Sequence, residues 1–343
     1  MASGTKRTLI GNPEIFLILR CYCKSSSRIT NFEFLASGFE SEIYSFGLRQ
    51  SNNSQKNYIV RLFPGDGASE KLMREARGLS LLQKACYPTP ELLLQETDPT
   101  PLGMPFEIME KLEGQVLWPF LATVEPDEQK QLLSRFGLLL VQLHTLDWQR
   151  FIDDPDRYQN NPTLILDESI SEYRSLYAAY DLSGFLQIVE WLNKHKHEIS
   201  VQPAVVHRDF HANNILLCPG NQLFVIDWTQ FGISDYRVDL SWTLLIMGDL
   251  GNKNWGKQIF NAYASSFHGQ IEDIEYFNVI AYMKLLGSTF ISNTFDPKEL
   301  GLRSERMEIT KKQLSVYKQL SQRLQNITQI TIPELDSLLD SHQ

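Results

Sequence analysis

The hydrophobic period of this chain changes once, about a third of the way along, and that change restricts it to a mixed α+β plan. Up to residue 110 the apolar residues sit in short runs at 32–37, 42–49, 57–63, 91–95 and 106–110, the length and alternation of half-buried strands. One helix interrupts them at 69–84, where Leu72, Ala76 and Leu79 share a face ahead of Pro88 and Pro90. Beyond residue 113 the apolar residues recur at helical spacing over 126–146, 168–180, 184–196, 237–247, 255–267, 271–291 and 303–324. A single non-helical island, 205–228, lies among these helices, with short strands at 215–218 and 223–226. A β-rich front and a helical back predict two lobes, 1–112 and 113–343.

Composition narrows the class of partner. A chain of 343 residues with 43% hydrophobic content buries a sizeable core. Its net charge of -9 speaks against nucleic acid as a partner, because phosphate backbones are held by basic surface. The four cysteines (Cys21, Cys23, Cys86 and Cys218) form no Cys-x-x-Cys pair and read as reduced thiols. The apolar stretch 15–19 is cut by Arg20, and no run reaches the roughly 18 apolar residues of a membrane span. A cytoplasmic protein without a signal peptide or membrane partner is the expectation.

The chemistry concentrates in the island. Two apolar runs bracket His207, Arg208, Asp209, His211 and Asn214, and the run 223–226 delivers Asp227 at its end, ahead of Trp228. Phosphoryl transfer needs one carboxylate to take or orient the proton of the attacking hydroxyl and two more oxygen ligands to hold magnesium on the phosphates. Asp209 suits the first role, and Asn214 with Asp227 suits the second, a hard-oxygen set that fits magnesium better than zinc. His207 reads as a structural hydrogen-bonding residue of the loop.

This string resembles the catalytic loop and metal strand of the aminoglycoside phosphotransferase and choline kinase-like families, small-molecule relatives of the protein kinases. Their loop reads His-x-Asp-x-His-x-x-Asn-Ile-Leu, followed by Ile-Asp-Trp or Ile-Asp-Phe. The chain matches at His207, Asp209, His211, Asn214, Ile215, Leu216, Ile226, Asp227 and Trp228. The resemblance covers about residues 34–245. It implies a two-lobed protein-kinase-like fold and transfer of the γ-phosphate of ATP, or of GTP, with Mg2+, to a small-molecule hydroxyl. Asp209 would be the base, and Asn214 and Asp227 would hold the metal. A protein kinase is the nearest rival, since His207-Arg208-Asp209 also spells its triplet. Against it, His211 stands where those enzymes carry lysine, Trp228 and Thr229 replace Phe-Gly, and no Ala-Pro-Glu follows. A pseudokinase that binds nucleotide without catalysis is the other alternative.

The resemblance also implies nucleotide contacts in the front lobe. The turn 36–42, with Gly38 and Ser41, is either a phosphate cover or an ordinary hairpin turn. Arg61 shares a strand face with Ile59 and Phe63, and Glu75 lies on the apolar side of the helix, so the two read as an inward ion pair. Either it faces the phosphates or it is purely structural. Related enzymes usually carry lysine there, and arginine brings a different, bidentate geometry. Met109 would border the base, with the backbone of Glu110 and Leu112 along its edge.

For the acceptor, residues 147–190 hold nine acids against three bases. That excess reads as an amine-bearing acceptor or as solvated helix faces. Trp118, Tyr173, Tyr177 and Trp242 read as pocket walls or as core, and Asp239 as a cap or brace of the helix after the metal strand.

Overall fold

The computed structural model describes residues 28–37, 41–49, 54–65, 67–269, 271–295 and 310–341. The alternating front closes into one antiparallel sheet of β1 (Arg28–Ser37), β2 (Glu42–Arg49), β3 (Gln55–Leu62), β4 (Leu92–Glu96) and β5 (Phe106–Glu110), in the order β1-β2-β3-β5-β4. Period-two alternation sorts its faces. Tyr44, Phe46, Val60, Leu62, Phe106 and Ile108 pack on one side. In register across the ladder, Ile43 opposes Arg61 and Arg61 opposes Glu107. That row therefore shares the other face, the one toward helix α1 (Ala68–Lys84).

Past Leu112 the chain leaves this sheet. β6 (Gln115–Val116) pairs with β8 (Ile215–Cys218), which pairs with β9 (Gln222–Val225), so the island grows out of a small separate sheet. A second pairing, β7 (Pro203–Val206) with β10 (Gly232–Asp235), clamps the two ends of the island together. The strands expected at 215–218 and 223–226 form as β8 and β9, whereas β7 and β10 are too short for their period to stand out in the sequence, and no sequence pattern predicts their pairing.

The helical back comprises α2 (Leu117–Leu121), α3 (Pro126–His144), α4 (Pro155–Asn160), α5 (Leu164–Ala179), α6 (Ser183–His195), α7 (Tyr236–Leu244), α8 (Lys253–Ser266), α9 (Ile274–Thr294), α10 (Lys311–Thr328) and α11 (Pro333–Ser341). The expected helix at 303–324 is described from Lys311, with 303–309 outside the described residues. Local chemistry sets several ends. Pro126 opens α3 with Asp127 and Glu128 in its first turn, and Asp235 caps α7 by accepting the Arg237 N–H. The helix expected over 237–247 gives way at Leu244 to a wide π-helical turn, Leu245–Gly251. There Gly256 of α8 lies against Gly248 so closely that a Cβ would stand 2.8 Å from its Cα.

The main core crosses from front to back. Leu79 and Leu82 of α1 pack with Leu133, Phe136, Leu140, Val205, Phe210, Ile215, Val225 and Trp228, seating the island between α1 and α3. Burial of each such side chain contributes about 1.5–3 kcal/mol, and truncating Phe136 or Phe210 to alanine would cost about 3–5 kcal/mol. Gly78 on α1 is required for this seat, because a Cβ would reach the Phe231 ring at 2.6 Å. A second core joins α5, α6, α9, α10 and α11. Among the described residues no helix is long and apolar enough to cross a membrane.

Candidate active site

Asp209 is fixed from three directions. The indole N–H of Trp242 donates to its Oδ1 at 2.8 Å, His211 Nε2 lies 3.2 Å from the same oxygen, and Asn214 Nδ2 donates to its Oδ2 at 3.1 Å. Burial alone would raise this carboxyl. The hydrogen bond and charge of His211, with Lys284 behind it, reverse the balance and hold it well below the ordinary carboxylate range. It is an ionised acceptor at neutral pH.

The loop around it hangs on a second carboxylate. Asp239, fully buried, accepts the N–H of His207 at 2.7 Å and of Arg208 at 2.5 Å, with His144 Nε2 3.4 Å away. Asp239 therefore braces the loop that carries Asp209, while Asp235 caps the helix. His207 bridges the loop to the metal strand. Its Nε2 donates to the Ile226 carbonyl at 3.0 Å and its Nδ1 accepts the Asp209 N–H at 3.2 Å, the neutral tautomer. Burial lowers its pKa in agreement. It supports the loop and does not carry protons.

On the nucleotide side the inward pair forms as the strand and helix faces require. Arg61 Nη1 donates to both Glu75 oxygens at 2.7 and 2.9 Å, Nε to Ser41 Oγ at 2.9 Å, and Nη2 to Asp227 Oδ1 at 2.9 Å. The last contact, across 166 positions, is invisible to periodicity. Glu75 also accepts the Trp228 N–H at 3.1 Å, so one carboxylate ties α1 to the metal strand. Glu107 stands in the same row, fully buried, with Glu75 as its neighbour. Burial and the neighbouring Glu75 push its pKa well above the usual range.

These groups face a cleft of about 330 Å³ lined by Ile59, Arg61, Glu75, Met109, Glu110, Leu112, Asn214 and Asp227. Ser41 borders it through Arg61, whereas Gly38 lies outside the described residues. Asp227 has φ 66°, a left-handed turn that swings its carboxylate toward Arg61 and the cleft. Burial would raise its pKa, but Arg61 holds it below the ordinary value. Asn214 spends its Nδ2 on Asp209, which leaves its Oδ1 as a second oxygen beside the Asp227 carboxylate. Two hard oxygens of this kind are a donor set that magnesium would fit, since it takes few protein oxygens and completes its shell with other oxygen ligands.

A second cavity of about 300 Å³ lies on the other side of Trp242. Its walls include Leu166, Ile170, Tyr173, Tyr177, Val238 and Ile280, and its charged groups are Arg208, Lys284 and Glu172. Lys284 of α9 donates to the Arg208 carbonyl at 2.6 Å and to Gln230 Oε1 at 3.0 Å, with its ammonium 4.2 Å from the Trp242 ring centroid.

A family model, the Phosphotransferase enzyme family (APH), matches residues 31–273. The chain belongs to that family. Its β-sheet front and helical back are the fold of the solved structures it superposes on. The ADP-bound aminoglycoside phosphotransferase APH(2'')-Ib superposes on 94% of it and 99% of that chain, with TM-score 0.53 and 20% identity. A choline/ethanolamine kinase family protein from Mesorhizobium loti superposes on 91% of this chain and 92% of its own, with TM-score 0.56 and 14% identity. Acyl-CoA dehydrogenase family member 10 of Mus musculus is 24% identical over 184 residues, 52% of this chain and 17% of that protein. The phosphotransferase spans between 17% and 33% of the length of the first curated relatives it matches.

The structure thus brings Asp209, Asn214, Asp227, Arg61 and Glu75 together, and places Met109, Glu110 and Leu112 along the cleft wall. Trp242 and Lys284, which hold and bias Asp209, carry no sequence signature. The sequence leaves Trp242 open between pocket wall and core, and leaves Lys284 unmarked. Of the four aromatics, Tyr173, Tyr177 and Trp242 line the second cavity, while Trp118 packs on Trp255 elsewhere. The acids of 147–190 mostly pair away from it: Asp147 with Arg150, Asp153 with Arg77, Asp167 with Lys196, Glu168 with Arg157 and Glu190 with Arg174. Glu172 alone of that set reaches the cavity wall.

Proposed function

We propose that this enzyme transfers the γ-phosphate of ATP to a hydroxyl of a small molecule, with Asp209 as the base. The observation that carries this reading is the direct link between the two halves of the site. Asn214, on the wall of the nucleotide cleft, donates to the Asp209 carboxylate at 3.1 Å, and Trp242, on the wall of the second cavity, donates to the same carboxylate at 2.8 Å. Asp209 would orient the acceptor hydroxyl and take its proton as the oxygen attacks phosphorus. Its lowered pKa favours orientation and a late proton transfer over early removal of the proton. Magnesium, held by Asn214 and Asp227, would neutralise the phosphates. Arg61 would exchange its bond to Asp227 for a phosphate oxygen, an anion that its planar fork suits.

Met109, with the backbone of Glu110 and Leu112, would hold the base of ATP, or of GTP, and Gly38 and Ser41 would cover the phosphates. The front lobe would end at 112, and a cytoplasmic setting without nucleic-acid or membrane partners goes with this reading. An amine-bearing acceptor draws support from Glu172 alone. The test is ADP release from MgATP and, separately, GDP release from MgGTP, across a library of small alcohols. Acceptor-dependent release that EDTA and Asp209→Ala both abolish is the expected result. Nucleotide binding without release for any acceptor would favour a pseudokinase.

A further inference from the structure

Phosphoryl transfer leaves one member of the His207-Arg208-Asp209 triplet without a role. Arg208 has φ 63°, a region that side chains other than glycine, asparagine and aspartate seldom occupy. The backbone is held there by Asp239, which accepts its N–H at 2.5 Å, and by Lys284, which donates to its carbonyl at 2.6 Å. This conformation delivers the guanidinium to the wall of the second cavity rather than to the nucleotide cleft. Its recorded ion pair there is with Glu172 at 3.6 Å, a carboxylate whose side chain is 65% exposed. Lys284 brings a second positive charge to the same wall. The cavity therefore carries two cations and one acid in a chain whose net charge is -9, and the rest of its lining is largely aliphatic and aromatic.

A cationic acceptor would meet like charge in an apolar surround, which costs several kcal/mol in specificity. A polyol would find few polar partners for its hydroxyls. An anion on an apolar body meets both features of the wall, since a guanidinium binds carboxylate or phosphate through paired N–H groups. We propose that the acceptor is an apolar alcohol bearing an anionic group, and that Arg208 and Lys284 hold that anion while the hydroxyl reaches Asp209 past Trp242. The anion is read from the cavity; only the fate of the hydroxyl rests on the phosphotransfer reading. Glu172 then acts as the competitor that the anion displaces from Arg208.

The test is equilibrium binding by calorimetry to the ADP-loaded full chain, which needs no turnover. The probes share one chain length: ω-hydroxycaproate, its amide, aminohexanol and hexanediol monophosphate, the last separating phosphate from carboxylate. The expected order is an anionic probe about tenfold tighter than the amide, with aminohexanol weakest. Arg208→Gln and Lys284→Gln should each erase the anion's advantage while ADP binding persists. Glu172→Gln, at an exposed side chain that folding does not depend on, should tighten anion binding about threefold. Aminohexanol binding as well as the anions overturns the proposal, as does absence of binding by both anions in the millimolar range. Glu172→Gln without effect overturns it too. ADP release measured in parallel separates the two readings. Anion preference without transfer removes the kinase and keeps the pocket, whereas transfer to aminohexanol alone does the reverse.

Discussion

The nucleotide cleft and the second cavity are similar in size, about 330 and 300 Å³, yet their charges are arranged in opposite ways. In the cleft two cations, Arg61 and Lys111, are outnumbered by Glu75, Glu110 and Asp227. In the cavity two cations face a single carboxylate. The first arrangement has surplus negative charge that suits a divalent cation, and the second has surplus positive charge that suits an anion. Overall acidity therefore says nothing about either site, because each local sign is set by which side chains the fold turns inward.

The comparison breaks most sharply at the group that joins the two sites. Asp209→Ala should lower kcat by about a thousandfold while ADP binding, followed by calorimetry, stays within a factor of two or so. Unchanged kcat would remove Asp209 from the chemistry. On the cleft side alone, Asp227→Ala should weaken magnesium-dependent ATP binding by about a hundredfold, with little change for ATP measured in EDTA. On the cavity side, Trp242→Phe keeps the ring under Lys284 and removes the indole donor, so kcat should fall by about tenfold with nucleotide affinity unchanged.

The smallest effect concerns the crowd of acids around Arg61. Glu107 has a folded pKa raised above its ordinary 4.5, so it binds a proton more tightly folded than unfolded. Its contribution to stability is complete below about pH 4.5 and is lost as pH rises toward the raised folded value. Glu107→Gln does not titrate, so its unfolding free energy should match the parent at low pH and exceed it increasingly as pH rises toward neutrality. Urea titrations at two pH values check this; a variant that is less stable at neutral pH would show that the carboxylate is ionised and paired.

Legibility followed distance along the chain. The residues 207, 209, 214 and 227 were readable because their chemistry is written within 21 positions of one another, between apolar anchors. The Arg61–Glu75 pair was readable because a charge on the buried face of a strand and another on the buried face of the next helix have few other partners. Trp242 reaches Asp209 across 33 positions and Lys284 reaches Arg208 across 76, and no local pattern announces either. The acid count over 147–190 left its two readings open for the same reason. Arg77 and Lys196, which neutralise Asp153 and Asp167, lie outside that window.

Asp239 has a consequence for how this enzyme is made. Its carboxylate reaches His207 across 32 positions and His144 across 95, so the loop bearing Asp209 has no template until α3 and α7 have docked on it. Chain-closing contacts of that span form late and together, because the entropy of closure must be met before the contacts reward it. Partly folded chains, whether newly made or recovering from denaturant, are therefore inert. Recovered activity in a refolding experiment should trail recovered helix content and coincide with the last tertiary phase.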